Sequence, residues 1–189
     1  MQQVDAEPAF PRPLNIFFSY SSENLPFVAG LLRHTSFRTI LRGKIWDYRD
    51  RSIKVGELRE GLRKSIGICD LFVAFIGGAY ATGATTAFEF EYAIELVTSG
   101  KSQLRDIIFV VLDADGAAWW ESRRNQRDIK RWRDEPVWLD CQNDTGSGPR
   151  AFDADTALVT EFNELAKQVR AKFKDDKRGP AAGPAELGP

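Results

Sequence analysis

Glu89 lies in the stretch Tyr80 to Leu96, where a Gly/Ala/Thr-rich segment gives way at about Thr85 to residues able to hold a helix. With each residue turned about 100° from the last, Phe90, Ala93, Ile94 and Val97 share one apolar arc, and Glu91, Glu95 and Thr98 gather opposite. Glu89 belongs to neither group. It falls between Ala93 and Leu96 at the rim of the buried stripe, near the helix start, where the backbone dipole stabilises a carboxylate that can still line a cleft. An ordinary first-turn acid fits the same position, so the rest of the chain has to separate the two.

Most other chemistries lack their residues. His34 is the only histidine, and it falls on an early helix where a structural or surface role is expected, so a Ser/His/Asp or Cys/His nucleophile site has no base. A zinc site lacks ligands: Cys69 and Cys141 are too far apart in sequence for a CxxC pattern and suit two structural thiols in a reducing compartment, so no metal is expected. Neither GxGxxG nor GxxxxGK[ST] occurs, which argues against a dinucleotide-binding dehydrogenase or a P-loop NTPase. Gly77 and Gly78 read as the turn closing a strand, with amides that could approach a phosphate.

Arg123, Arg124, Arg127, Lys130, Arg131 and Arg133 interleave with tryptophans, but Glu121, Asp128, Asp134 and Glu135 balance them into a solvated face. The whole chain has 26 basic and 27 acidic residues, a net charge of -1, so neither nucleic acid nor a membrane surface is an expected partner. No stretch approaches the roughly 20 apolar residues of a membrane span. Met1 to Pro13 offers acids and prolines where a signal peptide needs a basic start and an apolar run, and a cytoplasmic location is expected.

The elements that must position Glu89 follow from the apolar pattern. Residues 1–13 form an N-terminal arm. Leu14 to Tyr20 reads as a strand, stopped by the hydroxyl-rich turn Ser19 to Asn24, after which Phe27, Val28, Leu31 and Leu32 recur at helical spacing. Gly43 to Asp47 reads as a short second strand, Tyr48 to Gly56 as a charged loop, and Leu58, Leu62, Ser65 and Ile66 as a helix. Asp70 to Ile76 is nearly all apolar and is expected at the centre of a parallel sheet covered on both faces. Ile107 to Leu112 repeats that signature and ends in the polar turn Asp113 to Gly116. Residues 117–133 suit a short helix, Pro136 to Asp140 an edge strand, and Phe152 to Phe173 a closing amphipathic helix. The charged, then Gly/Pro/Ala-rich residues 175–189 read as a disordered tail, leaving one domain over residues 14–174.

Strands alternating with helices imply an α/β fold: a flavodoxin-like, doubly wound, mostly parallel five-stranded sheet with helices on both faces. Ligands of such sheets gather at the carboxyl ends of the strands. The loops carrying Ser19 to Ser22, Asp47 to Gly56 and the start of the Glu89 helix therefore converge on one cleft.

Assembled in this way, the sequence resembles the TIR (Toll/interleukin-1 receptor) domain family. Ile16 to Ser21 looks like the family's first box, and Trp46-Asp47 with the following charged residues and Gly56 looks like the second box and its BB loop. Asp70 to Ile76 is similar to the third strand, and Tyr80, Glu89 and Ala93 fit the spacing of Tyr, Glu and Ala around the acid. Thr85 stands where many members carry Trp, and Val55 precedes Gly56 where receptor members commonly carry Pro. Beyond residue 100 the likeness is architectural.

The resemblance implies an NAD glycohydrolase or cyclase with NAD as substrate and no cofactor. Glu89 would stabilise the oxocarbenium-like ribose as cationic nicotinamide departs, with Ser19, Tyr20, Ser21, Trp46 and Asp47 as candidate lining of the nucleotide cleft. Tyr20 or Trp46 would supply the ring stacking that Thr85 cannot. It further implies a homo-oligomer assembled through the BB loop and a separate effector responding to the product, as in prokaryotic antiphage defence; host-directed virulence is a second context. Two alternatives remain open at this point: a non-enzymatic interaction module, and a nucleoside deoxyribosyltransferase-like enzyme.

Overall fold

The computed structural model describes residues 13–46, 58–100, 102–126, 129–130 and 136–174. Asp47, the rest of the expected BB loop, residues 1–12 of the arm and the whole tail 175–189 lie outside them. Five strands, β1 (Asn15–Tyr20), β2 (Lys44–Trp46), β3 (Leu71–Ile76), β4 (Asp106–Val111) and β5 (Val137–Asp140), pair in the order β2-β1-β3-β4-β5, and every pairing is parallel. The helices are α1 (Leu25–His34), α2 (Phe37–Leu41), α3 (Leu58–Gly67), α4 (Gly78–Thr82), α5 (Ala84–Ser99), α6 (Ala114–Arg124) and α7 (Thr156–Lys174). The chain is thus an α/β protein of the flavodoxin-like kind, and β3 is the central strand, as its uninterrupted apolar run predicts.

Side-chain alternation along the strands divides the core in two. Ile16, Phe18 and Tyr20 of β1 face α1, α2 and α7 together with Leu71, Val73 and Phe75 of β3. Phe17, Phe72, Ala74 and Ile76 face α3 to α6, and the rings of Phe17 and Phe72, paired in register, stack 5.5 Å apart. Ser19 has the parity of Phe17, which puts a hydroxyl on the α3 to α6 face at a position with no exposure at all.

Three local expectations change. The Gly/Ala/Thr segment after β3 is not a plain loop: Gly78–Thr82 forms the short helix α4, because Tyr80 is drawn into the core beneath it. Asp113 to Gly116 is not a turn but the start of α6, with the Asp113 side chain capping it by accepting from the Gly116 amide at 2.7 Å. The other Asp113 oxygen accepts from the Gly78 amide at 3.1 Å, so one carboxylate ties the starts of α6 and α4 together. The closing helix begins at Thr156 rather than Phe152, because Asp155 accepts from the Leu158 amide at 2.9 Å and fixes the first turn there. Helix α2, unforeseen in the sequence, is a single turn that buries Phe37 and Leu41 against α7.

Gly116 shows how closely α6 approaches the end of β3. A Cβ placed on it would sit 2.2 Å from the Ile76 carbonyl oxygen and 3.0 Å from Gly77 Cα, both backbone atoms that cannot rotate away. Gly116→Ala is therefore expected to lower stability by about 1–3 kcal/mol or more, read as a reduced urea midpoint at unchanged slope.

Arg150 clamps the loop before α7 by donating from Nε to Asp155 at 2.6 Å and from Nη1 to Glu161 at 3.0 Å. The Arg150 contact first, then the Leu158 amide, hold the Asp155 carboxyl below its ordinary value. A depressed folded value means that the contribution is fully present above the unfolded value of about 3.9 and is lost as pH falls through the lower folded one. Asp155→Asn should accordingly flatten the decline of unfolding midpoint with acidification below about pH 4 relative to wild type.

Candidate functional site

Glu89 is the sixth residue of α5, and its side chain is 1 % exposed. It sits beyond the first turn, where the helix dipole acts most, so the sequence expectation of dipole stabilisation gives way to a direct contact. Ser19 Oγ donates to Glu89 Oε2 at 2.5 Å, and the same hydroxyl lies 3.0 Å from the hydroxyl of Tyr80. All three side chains are buried. Burial pushes the Tyr80 hydroxyl far above the ordinary phenol range; the Ser19 contact opposes this and the Glu89 charge adds to it. Tyr80 therefore keeps its proton. Since the single Ser19 hydrogen is committed to Glu89, Tyr80 is the donor to Ser19, and the order is Tyr80 to Ser19 to Glu89.

In front of Glu89 opens a cavity of about 420 Å³, within the range of small-ligand pockets. It lies at the carboxyl end of β1, beside the α4–α5 junction. Its walls are Tyr20 to Ser22 after β1, Ala79 and Gly83 to Thr86 around the start of α5, and Leu58 at the head of α3. Leu58 is 41 % exposed, an apolar side chain left at the rim. The lining is mostly apolar, with Ser21, Ser22, Thr85, Thr86 and Glu89 as its polar residues, which suits a ligand with a hydroxyl-bearing ring next to a flat one.

The local sequence explains this shape. Thr86 Oγ1 shares its one hydrogen between the carbonyls of Tyr80 at 2.7 Å and Gly83 at 3.0 Å, folding the start of α5 back on α4. A Cβ on Gly83 would lie 2.6 Å from that Thr86 oxygen, so glycine permits the tight junction. Further along, Phe90, Ala93 and Ile94 seat α5 on the sheet, with Phe90 edge-on to Trp119 at 5.0 Å. Glu91 and Glu95 are exposed, and Glu91 pairs with Arg123.

Of the six residues singled out in the sequence, Tyr20, Ser21 and Glu89 line this cavity. Ser19 stands behind Glu89 and outside the lining. Tyr20 meets the cavity at the end of β1, but its ring packs into the α1, α2 and α7 core, edge-on to Phe75 at 6.3 Å, and is not free to stack on a ligand. Trp46 is not in the lining either: it packs against the α3 to α6 side of the core, with the Lys44 ammonium 4.0 Å above its ring. Asp47 lies outside the described residues. Sequence reasoning named Tyr80 only for its spacing from Glu89 and gave no site role to Tyr80, Thr86 or Leu58. A usable signal existed for the first, since Ser19 is a polar residue at a buried strand position and requires a partner from the facing helices.

Other features offer less chemistry. A second cavity, about 410 Å³ between α1 and residues 149–153, is lined by Arg33, His34 and Arg150, and the last is already held by Asp155 and Glu161. Cys69 and Cys141 are free and buried, and burial first of all pushes both thiols well above the ordinary range, which leaves them poor nucleophiles. Among the described residues no group of His, Cys, Asp and Glu could hold a metal ion, and no helix is long and apolar enough to cross a membrane. No protein-family model matches the chain, and no curated protein sequence matches it.

A carboxylate buried behind a cavity contributes little to folding, since burying a charge costs more than burying a neutral isostere that keeps the same hydrogen bond. Glu89→Gln is expected to leave the thermal midpoint unchanged or raised; a fall comparable to a core truncation would show the acid to be structural.

Proposed function

We propose that this protein cleaves the bond between nicotinamide and ribose in NAD, with Glu89 as the catalytic carboxylate. The observation that carries the reading is a buried acid, oriented by a hydroxyl, at the floor of a cavity at the carboxyl end of β1. The TIR resemblance of residues 14–100 adds the choice of substrate.

Little further machinery is required. Nicotinamide joined to ribose is already cationic and leaves as a neutral base, so the barrier lies in the positive charge that grows at the ribose anomeric carbon. A fixed carboxylate facing that carbon stabilises the charge without reorganising. Water then adds to the anomeric carbon, giving ADP-ribose and releasing one proton. In a cyclase a nucleophile within the ADP-ribose itself would take the place of water. The cavity of about 420 Å³ suits the nicotinamide riboside end of the dinucleotide, with Ser21 and Ser22 near the ribose and Leu58 against the flat ring. Self-association through the loop after β2, and a separate effector that responds to the product, complete the reading.

Purified protein incubated with NAD at high protein concentration should release nicotinamide. Glu89→Ala should lower the rate by about 10²–10³ or more, the usual loss for a preorganised electrostatic group. Glu91→Ala and Glu95→Ala should stay close to wild type. Equal turnover in wild type and Glu89→Ala would sink the assignment, and no NAD loss at any concentration would favour a non-enzymatic interaction module. Mass spectrometry of the product separates free ADP-ribose from a cyclised product lighter by one water.

A further inference from the structure

We infer that Tyr80 is a positioning residue for Glu89, acting through Ser19 to fix how the carboxylate is presented to the cavity; this rests on the reading of Glu89 given above. Tyr80 is absent from the cavity lining and 1 % exposed, so it cannot touch a ligand, yet its hydroxyl is 3.0 Å from Ser19 Oγ, which is 2.5 Å from Glu89 Oε2. Water does not compete for these groups, because none is more than 1 % exposed. Each hydrogen has one acceptor, and each link strengthens the next: a Ser19 oxygen that accepts from Tyr80 becomes a better donor to Glu89.

Tyr80 is itself held from three directions. Its backbone carbonyl accepts from Thr86 Oγ1 at 2.7 Å, its ring lies edge-on to Trp119 of α6 at 5.9 Å, and its hydroxyl reaches β1. The relay therefore refers the orientation of a carboxylate on α5 to three other elements, α4, α6 and β1. A floppy two-residue contact would leave Ser19 free to rotate; a fixed phenol does not.

Hydrogen bonds to the charged form of an acid favour that form, so weakening the Ser19 donor makes the carboxylate easier to protonate. The neighbouring charged groups stay as they are when the Tyr80 hydroxyl alone is removed. Glu91 is paired with Arg123 of α6, Arg59 and Arg63 of α3 lie over the rings of Phe88 and Tyr92, and Glu95 is exposed on α5.

The test compares wild type with Tyr80→Phe, Ser19→Ala and the double variant, each checked for native circular dichroism. Two readouts are taken: NAD cleavage against pH, and ¹³C NMR titration of the Glu89 carboxyl, assigned with Glu89→Gln. Tyr80→Phe is expected to lower kcat about two- to tenfold with KM unchanged, and to move the acidic limb of kcat and the Glu89 titration together to higher pH. In the Ser19→Ala background the same substitution should change neither. A Tyr80→Phe effect that is undiminished without Ser19, or one confined to KM, overturns the inference. If wild type releases no nicotinamide, the NAD reading fails by itself, and the titration decides the relay: a shift that needs both Tyr80 and Ser19 supports it, and no shift overturns it.

Discussion

A carboxylate can be buried against the end of a parallel sheet only if something donates to it, and here the donor comes from the sheet itself. The Ser19 hydroxyl, one residue before the end of β1, reaches Glu89 at 2.5 Å from a position with no exposure. The remainder of the candidate site depends on that contact. It sets the rotation of α5 about its axis, since Glu89 must face β1 while Phe90, Ala93 and Ile94 fill the space over β3 and β4. An apolar side chain at position 19 would take from the acid the Ser19 hydrogen bond, a charge-assisted bond worth about 1.5–3 kcal/mol.

The strand order explains why this happens beside β1. Chain connections leave β1 toward α1 on one face and leave β3 toward α4 and α5 on the other, so the crevice between the carboxyl ends of β1 and β3 is where the two helix layers diverge. The cavity is bounded by the peptide after β1 and by the α4–α5 junction after β3. Tyr20 and Ser19 make the divergence visible within one dipeptide. Tyr20 turns its ring into the α1, α2 and α7 core, and Ser19 turns its hydroxyl toward α4 and α5.

Much of this was legible in the sequence and some was not, for separable reasons. The central strand and its neighbours followed from uninterrupted apolar runs, because a strand covered on both faces has no polar alternation to blur it. Glu89 stood out by its angle on the helix, which depends only on local periodicity. Tyr80 entered only through its spacing from Glu89 and not as a site residue, since its burial comes from a one-turn helix too short to leave a periodic signature and is fixed by Trp119, thirty-nine positions away. Trp46 and Tyr20 looked equally available for stacking because composition reveals a ring but not which face of the sheet it occupies. Alternation from Phe17 would have placed Tyr20 on the opposite face from Ser19. Asp113 read as a turn residue because the same side chain serves turns and helix caps alike.

The two faces of the sheet carry unequal burdens. On the α1, α2 and α7 side the core is built largely of aromatic and aliphatic side chains, with Phe27, Phe37, Phe152 and Phe162 linked by ring contacts at 4.9 to 6.1 Å. Each such side chain, fully buried, contributes roughly 1.5–3 kcal/mol. The α3 to α6 side instead contains Ser19, Tyr80 and Glu89, whose burial costs a few kcal/mol less whatever their hydrogen bonds return. One or two phenylalanines on the first face offset that cost. A polar trio can therefore persist in the interior of one layer because the other layer is dominated by apolar side chains, and the sheet between them gives the acid a rigid support. That rigidity matters for an electrostatic role, since a carboxylate that must face a developing charge is useful only if it does not have to move when the charge appears.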